Sequence, residues 1–100
     1  MEFGEYLKSK LNEKNIKIMD FVRKLEKSKT YIFDIFNGNN FPPHDLQFKM
    51  VVALDLSLEE TVEFFDLAAK GRGELPADVV AFLIENAQVM GSIRKIMYSS

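Results

Sequence analysis

Ile18-Met19-Asp20-Phe21-Val22-Arg23-Lys24-Leu25-Glu26-Lys27-Ser28-Lys29-Thr30-Tyr31-Ile32-Phe33-Asp34-Ile35-Phe36 is the stretch on which the reading of this chain turns. Ile18, Phe21, Val22 and Leu25 recur at helical spacing over about two turns, and Ile32, Ile35 and Phe36 do so again. Between them Ser28 supplies a hydroxyl suited to the N-cap of the second helix. The link Leu25-Glu26-Lys27 is too brief for a loose loop. It matches the roughly 3 to 4 residue turn of a helix-turn-helix better than a long αα-hairpin.

Working outward, Phe3, Leu7 and Leu11 place one apolar stripe on a helix from about Glu2 to Glu13, ending near Lys14-Asn15. After Phe36, Asn37-Gly38-Asn39-Asn40-Phe41-Pro42-Pro43 stops the helix with residues that tolerate positive φ and two prolines. Leu46, Met50 and Leu54 define a fourth helix starting at His44 or Asp45, and Ser57 with Glu60 forms a capping box for a fifth through about Ala69. Lys70-Gly71-Arg72-Gly73 reads as a linker, Pro76 suits a first helical turn, and Val79 to Ile84 make a strongly apolar sixth helix; Asn86 suits the cap of a seventh. No strand alternation or internal repeat is visible. The expectation is an all-α chain, residues 1–70 forming a five-helix domain and 71–100 a helical extension that packs on the core or forms a dimer interface.

Composition narrows the chemistry. With 100 residues, 47% of them hydrophobic and 9 Phe, the chain can close one core but not two. There is no Cys and only one His, which excludes disulfides, thiolate zinc sites, cysteine nucleophiles and two-histidine metal sites. The carboxylates Glu59, Glu60, Glu63 and Asp66 fall at helical spacing without a nucleophile or neighbouring His, so helix-start stabilisation explains them better than acid-base catalysis. His44 reads as a surface or capping residue, and Gly71-Arg72-Gly73 is too short for a phosphate loop. The expectation is no enzyme, no cofactor and no metal. With no secretory pattern at Met1-Glu2-Phe3 and no apolar run near the roughly 20 residues that span a bilayer, a cytoplasmic protein without membrane contact is expected.

The net charge of −2 hides an asymmetry. From Lys8 to Lys29 eight bases (Lys8, Lys10, Lys14, Lys17, Arg23, Lys24, Lys27, Lys29) face three acids (Glu13, Asp20, Glu26), a net +5, while the remainder carries −7. Such a segment fits a face that meets polyphosphate, and equally a solvated helical surface.

Residues from about Phe3 to Ser57 resemble the Cro and phage-repressor helix-turn-helix family of regulators, the XRE family. Lys17 to Ile32 falls on its helix, tight turn and recognition helix, Ile35-Phe36-Asn37-Gly38 on its usual I-E-N-G, and Phe36-Asn37-Gly38-Asn39-Asn40 resembles the F-N-G-x-N found among phage repressors. The tail Phe65 to Lys70 followed by Glu74 to Val79 is similar to extensions on small regulators of Gram-positive bacteria and their mobile elements. The resemblance implies a lambda-repressor-like five-helix fold, sequence-specific binding of double-stranded DNA, transcriptional regulation of a phage or mobile-element repressor type, and a homodimer, for which the apolar C-terminal helices either supply the interface or instead close the monomer core. Three positions depart from the pattern: Ile18 replaces a phosphate-contacting Gln, Glu26 a turn Gly, and Leu11 with Phe36 a buried Arg-Glu pair.

With Ile32 and Ile35 turned inward, Lys29, Thr30, Phe33, Asp34 and Asn37 point outward on the third helix, whose first turns would reach base edges. Lys29 can donate to guanine or phosphate, and Thr30 can hydrogen-bond or touch a thymine methyl. Phe33 can meet thymine methyls, a protein partner or the core. Asp34 can accept from cytosine N4 or simply face solvent. Arg23 and Lys24 on the second helix, Ser28, Tyr31, Asn37 and Asn40 complete the candidate DNA-binding set, Ser28 doubling as a cap, Tyr31 as a half-buried residue, Asn37 and Asn40 as turn residues. The alternative is a protein-interaction module on the same scaffold, marked by Ile18, Phe33 and Asp34.

Overall fold

The computed structural model describes residues 1–99, which form seven helices and no strand: α1 Phe3–Glu13, α2 Ile18–Leu25, α3 Lys29–Phe36, α4 His44–Ala53, α5 Leu58–Arg72, α6 Ala77–Glu85 and α7 Val89–Tyr98. The chain is all-α, as the periodicities require. Three of the connections turn on a non-glycine residue in the left-handed region: Asn15 after α1, Glu26 after α2 and Asp55 after α4, with φ of 55°, 56° and 50°.

The apolar stripes of the first five helices converge on one core. Phe3, Tyr6, Leu7 and Leu11 of α1 meet Phe21, Val22 and Leu25 of α2, Ile32 and Ile35 of α3, Leu46 and Met50 of α4, and Phe64, Phe65 and Ala68 of α5. Phe64 stands edge-on to Phe3 at 5.0 Å between ring centres and to Phe65 at 5.5 Å. Each such ring removed from water contributes about 1.5–3 kcal/mol. The helices α1 and α3 approach closely at Gly4, where a Cβ would run into the carbonyl oxygens of Ile35 and Phe36.

Charges lock α1 to α5. The Ser57 hydroxyl accepts from the Glu60 amide at 3.2 Å and the Glu60 carboxylate accepts from the Ser57 amide at 2.9 Å, the expected capping box. The same carboxylate takes Lys10 at 3.0 Å and Lys14 at 3.1 Å. The backbone amide of Ser57 and these two ammonium groups hold the Glu60 carboxyl at about 2, well below its ordinary value. The Tyr6 hydroxyl donates to the Glu60 carbonyl at 2.8 Å, and burial pushes that phenol up to about 12.

Several boundaries differ from the expected ones. Lys70, Gly71 and Arg72 are not a linker; α5 runs on to Arg72 and closes at Gly73, which takes the left-handed conformation at φ 68°. Gly71 is required by packing, since a Cβ there would strike the Phe41 ring. Pro76 is the N-cap of α6, one residue before the first turn. Asn86 closes α6, its amide donating to the Phe82 carbonyl at 2.9 Å, and Gln88 precedes α7.

Beyond Gly73 the character of the molecule changes. α6 buries only Ala77 and α7 buries no residue. The described chain measures 50 × 22 × 22 Å with a radius of gyration of 15.5 Å, against about 13 Å for a compact domain of this length. The excess is the α6–α7 arm. At its root, Glu74 accepts from Arg72 at 3.0 Å and pairs with His44 Nε2 at 2.8 Å, while Arg72 also donates to the Phe41 carbonyl at 3.2 Å. His44 chiefly, with Arg72, holds the Glu74 carboxyl below its usual range. His44 is thus the first residue of α4 and a surface partner of the arm's root.

Candidate nucleic-acid interface

The helix pair at residues 18–36 owes its geometry to the turn. Glu26 adopts φ 56°, ψ 41°, its amide donating to the Arg23 carbonyl at 3.1 Å and the Lys27 amide to the Val22 carbonyl at 3.1 Å. These two bonds satisfy orphan carbonyls in the pattern usually completed by glycine. A residue with a Cβ incurs roughly 1 kcal/mol there, which the flanking core contacts offset. Two residues on, the Ser28 hydroxyl accepts from the Tyr31 amide at 3.0 Å and starts α3. The expected turn and cap are both present.

This arrangement leaves Arg23, Lys24, Ser28, Lys29, Thr30, Phe33 and Asn37 exposed, with Tyr31, Asp34 and Asn40 half-buried. Two cation-π contacts order the leading end of α3: Lys27 Nζ lies 5.2 Å from the Tyr31 ring centre and Lys29 Nζ 5.6 Å from that of Phe33. Phe33 also meets Phe36 edge-on at 5.5 Å, so it lies at the border of the packed face with one side toward solvent. Arg23 pairs with Asp20 at 3.3 Å on the exposed side of α2, a contact weak enough in water to exchange for a phosphate.

The candidates do not all share one place. Lys29, Thr30 and Phe33 lie on the first half of α3, next to the turn. Asn37 is the C-cap of α3, and the positive φ of that loop falls to Gly38 at 78°. Asn40 lines a groove with Phe41, Arg72 and Glu74, near the root of the arm. Lys24 lines a different groove, between α2 and α4, with Glu26, Phe48, Lys49, Val52 and Ala53. Lys49 is a base the sequence reading missed; only the packing of α4 beside α2 brings it near Lys24.

The net +5 from Lys8 to Lys29 is likewise divided by the fold. Lys10 and Lys14 are held by Glu60 on the α1–α5 side, so they belong to the scaffold rather than to a basic face continuous with α3. Leu11 is buried and Phe36 half-buried, and both line the groove where α1 and α3 pack, together with Ile16 and Ile18. No helix among the described residues is long and apolar enough to cross a membrane. No family model, curated protein or solved structure matches the chain.

Proposed function

We propose that this chain is a sequence-specific, double-stranded DNA-binding transcriptional regulator, a repressor of the phage or mobile-element kind that acts as a homodimer in the cytoplasm. In this reading α1–α5 are a lambda-repressor-like five-helix domain. The observation that supports it most is the α2–turn–α3 unit, in which two eight-residue helices meet at a left-handed Glu26 and α3 leads with a Ser28 cap followed by exposed Lys29 and Thr30. A helix entering the major groove brings its first turns closest to base edges, while the preceding helix crosses the backbone. Thr30 and Lys29 then read bases, Phe33 meets thymine methyls, and Arg23, Lys24 and Lys49 contact phosphates.

Binding to a random duplex, followed across a salt titration and then by selection of bound sites from a random pool, tests this reading. Affinity falls steeply with salt if phosphates are neutralised. Thr30→Ala lowers discrimination at one position by about 1–3 kcal/mol, whereas Arg23→Ala weakens all sequences alike and flattens the salt slope by about one. No measurable duplex binding by the wild type overturns the proposal.

The second reading, a protein-interaction module, is favoured by one set of residues. Phe33 keeps one edge exposed and is followed on α3 by Asp34, an apolar ring next in the chain to a carboxylate that repels phosphate, a combination that suits a protein hot spot. Unchanged and salt-insensitive behaviour toward DNA would select it.

A further inference from the structure

The groove between α2 and α4 joins a basic rim to an apolar floor. It has a volume of about 670 Å³ and is lined by Lys24, Glu26, Phe48, Lys49, Val52 and Ala53. Phe48 and Val52 stand one helical turn apart on α4 and are 39% and 80% exposed. The Phe48 ring rests against Phe65 at 5.0 Å between ring centres, which holds it in place while leaving part of it open. Both walls belong to the core, α2 through Phe21, Val22 and Leu25 and α4 through Leu46 and Met50, so the groove is already formed in the single chain. Lys10 and Lys14 are held by Glu60, Arg23 by Asp20 and Arg72 by Glu74, whereas Lys24 and Lys49 enter no ion pair or hydrogen bond among the described residues.

Two ammonium groups against the single carboxylate of Glu26 leave the groove net positive. That charge and that floor together select the occupant. Phosphate satisfies Lys24 and Lys49 but leaves Phe48 and Val52 in water, and a wholly apolar segment strips water from two unpaired ammonium groups. A segment that carries carboxylates beside bulky apolar side chains serves both, and a helix presents them on one face at i, i+3 and i+4 spacing.

We infer that the groove between α2 and α4 docks an acidic amphipathic helix of another protein, its apolar side chains on Phe48 and Val52 and its carboxylates on Lys24 and Lys49. The docking itself needs no DNA; its consequence rests on the proposed function, in which the same two lysines contact phosphates. Partner and duplex then exclude each other, and the acidic helix releases the regulator from its site.

Fluorescence anisotropy of the full chain tests this with a labelled helical peptide of about 16 residues, Leu recurring at i, i+4 and i+7 and Glu flanking that stripe. The peptide binds the wild type, and the same peptide with Lys in place of Glu, or Ser in place of Leu, does not. Lys24→Glu combined with Lys49→Glu weakens it at least about tenfold. Val52→Gln, at an exposed position with no assigned DNA contact, weakens it at least about threefold and leaves duplex affinity unchanged. Unlabelled peptide displaces duplex DNA from the wild type, and displaces it less readily from Val52→Gln. No peptide binding beside intact duplex binding overturns the inference and leaves the regulator standing. Peptide binding without duplex binding keeps the groove and overturns the regulator, and peptide and duplex bound at the same time overturn their exclusion. Peptide binding indifferent to both the lysine reversals and Val52→Gln overturns the groove as the site. Self-association of the wild type that is lost in Val52→Gln makes a second copy the occupant and overturns the separate partner.

Discussion

Seven of the nine residues of α6 are apolar, yet it buries only Ala77, while α1, with four large apolar residues among eleven, buries all four of them. The difference is one of spacing and partners. Phe3, Tyr6, Leu7 and Leu11 form a single stripe that packs chiefly against α3 and α5, whereas the apolar residues of α6 surround most of its circumference and α5 is the main element that meets it. Hydrophobic content alone does not decide what is core; a face does so when something in the chain is placed to cover it.

The comparison predicts unequal mutational costs. Phe64→Ala, at a fully buried ring, lowers unfolding free energy by about 3–5 kcal/mol, whereas Phe82→Ala in the arm stays within about 0.5 kcal/mol at concentrations too low for association. Urea denaturation at matched low concentration checks this, and similar losses at both sites would erase the distinction between core and arm. Leu11→Arg places an unpaired charge under the helix pair and costs about 3–5 kcal/mol, of which Phe36→Glu recovers part. A double-mutant cycle without coupling would mean that Leu11 and Phe36 do not share one environment.

Smaller effects sharpen the boundary. Glu26→Gly relieves the left-handed turn and raises stability by roughly 1 kcal/mol, a gain read as a higher urea midpoint. Glu60→Gln gives a pH-dependent loss confined to the core. The carboxyl is held at about 2 in the folded chain against an ordinary 4.5, so its contribution is fully present above about pH 5 and disappears as pH falls toward 2. The midpoints of wild type and Glu60→Gln therefore differ at pH 6 and converge in acid; a constant difference down to pH 2 would show that the ion pairs carry none of it.

Local chemistry was readable and distant packing was not. Ser28, Ser57 with Glu60, and the turn at Glu26 announce themselves because each acts on an amide or carbonyl within a few residues. Gly71 reads as a break from the sequence because the reason for it is the Phe41 ring, thirty positions earlier in the chain. Lys10 and Lys14 looked like part of one basic face because their partner, Glu60, lies on a helix that only the closed fold brings alongside. The same limit hid Lys49. Nothing in the order of residues along α6 and α7 distinguishes a stripe that closes a core from one left open.

The knot around Glu60 also bears on the order of folding. Its ties to Tyr6, Lys10 and Lys14 join residues 54, 50 and 46 positions apart, whereas the α2–turn–α3 unit is held by contacts within a few residues. Contacts that close long loops are entropically expensive until the intervening chain is ordered, so the helix pair forms early and the clasp between α1 and α5 late. Removing the Glu60 carboxylate therefore accelerates unfolding and leaves the refolding rate nearly unchanged, the kinetic mark of a latch that slows escape from the native state without guiding the chain toward it.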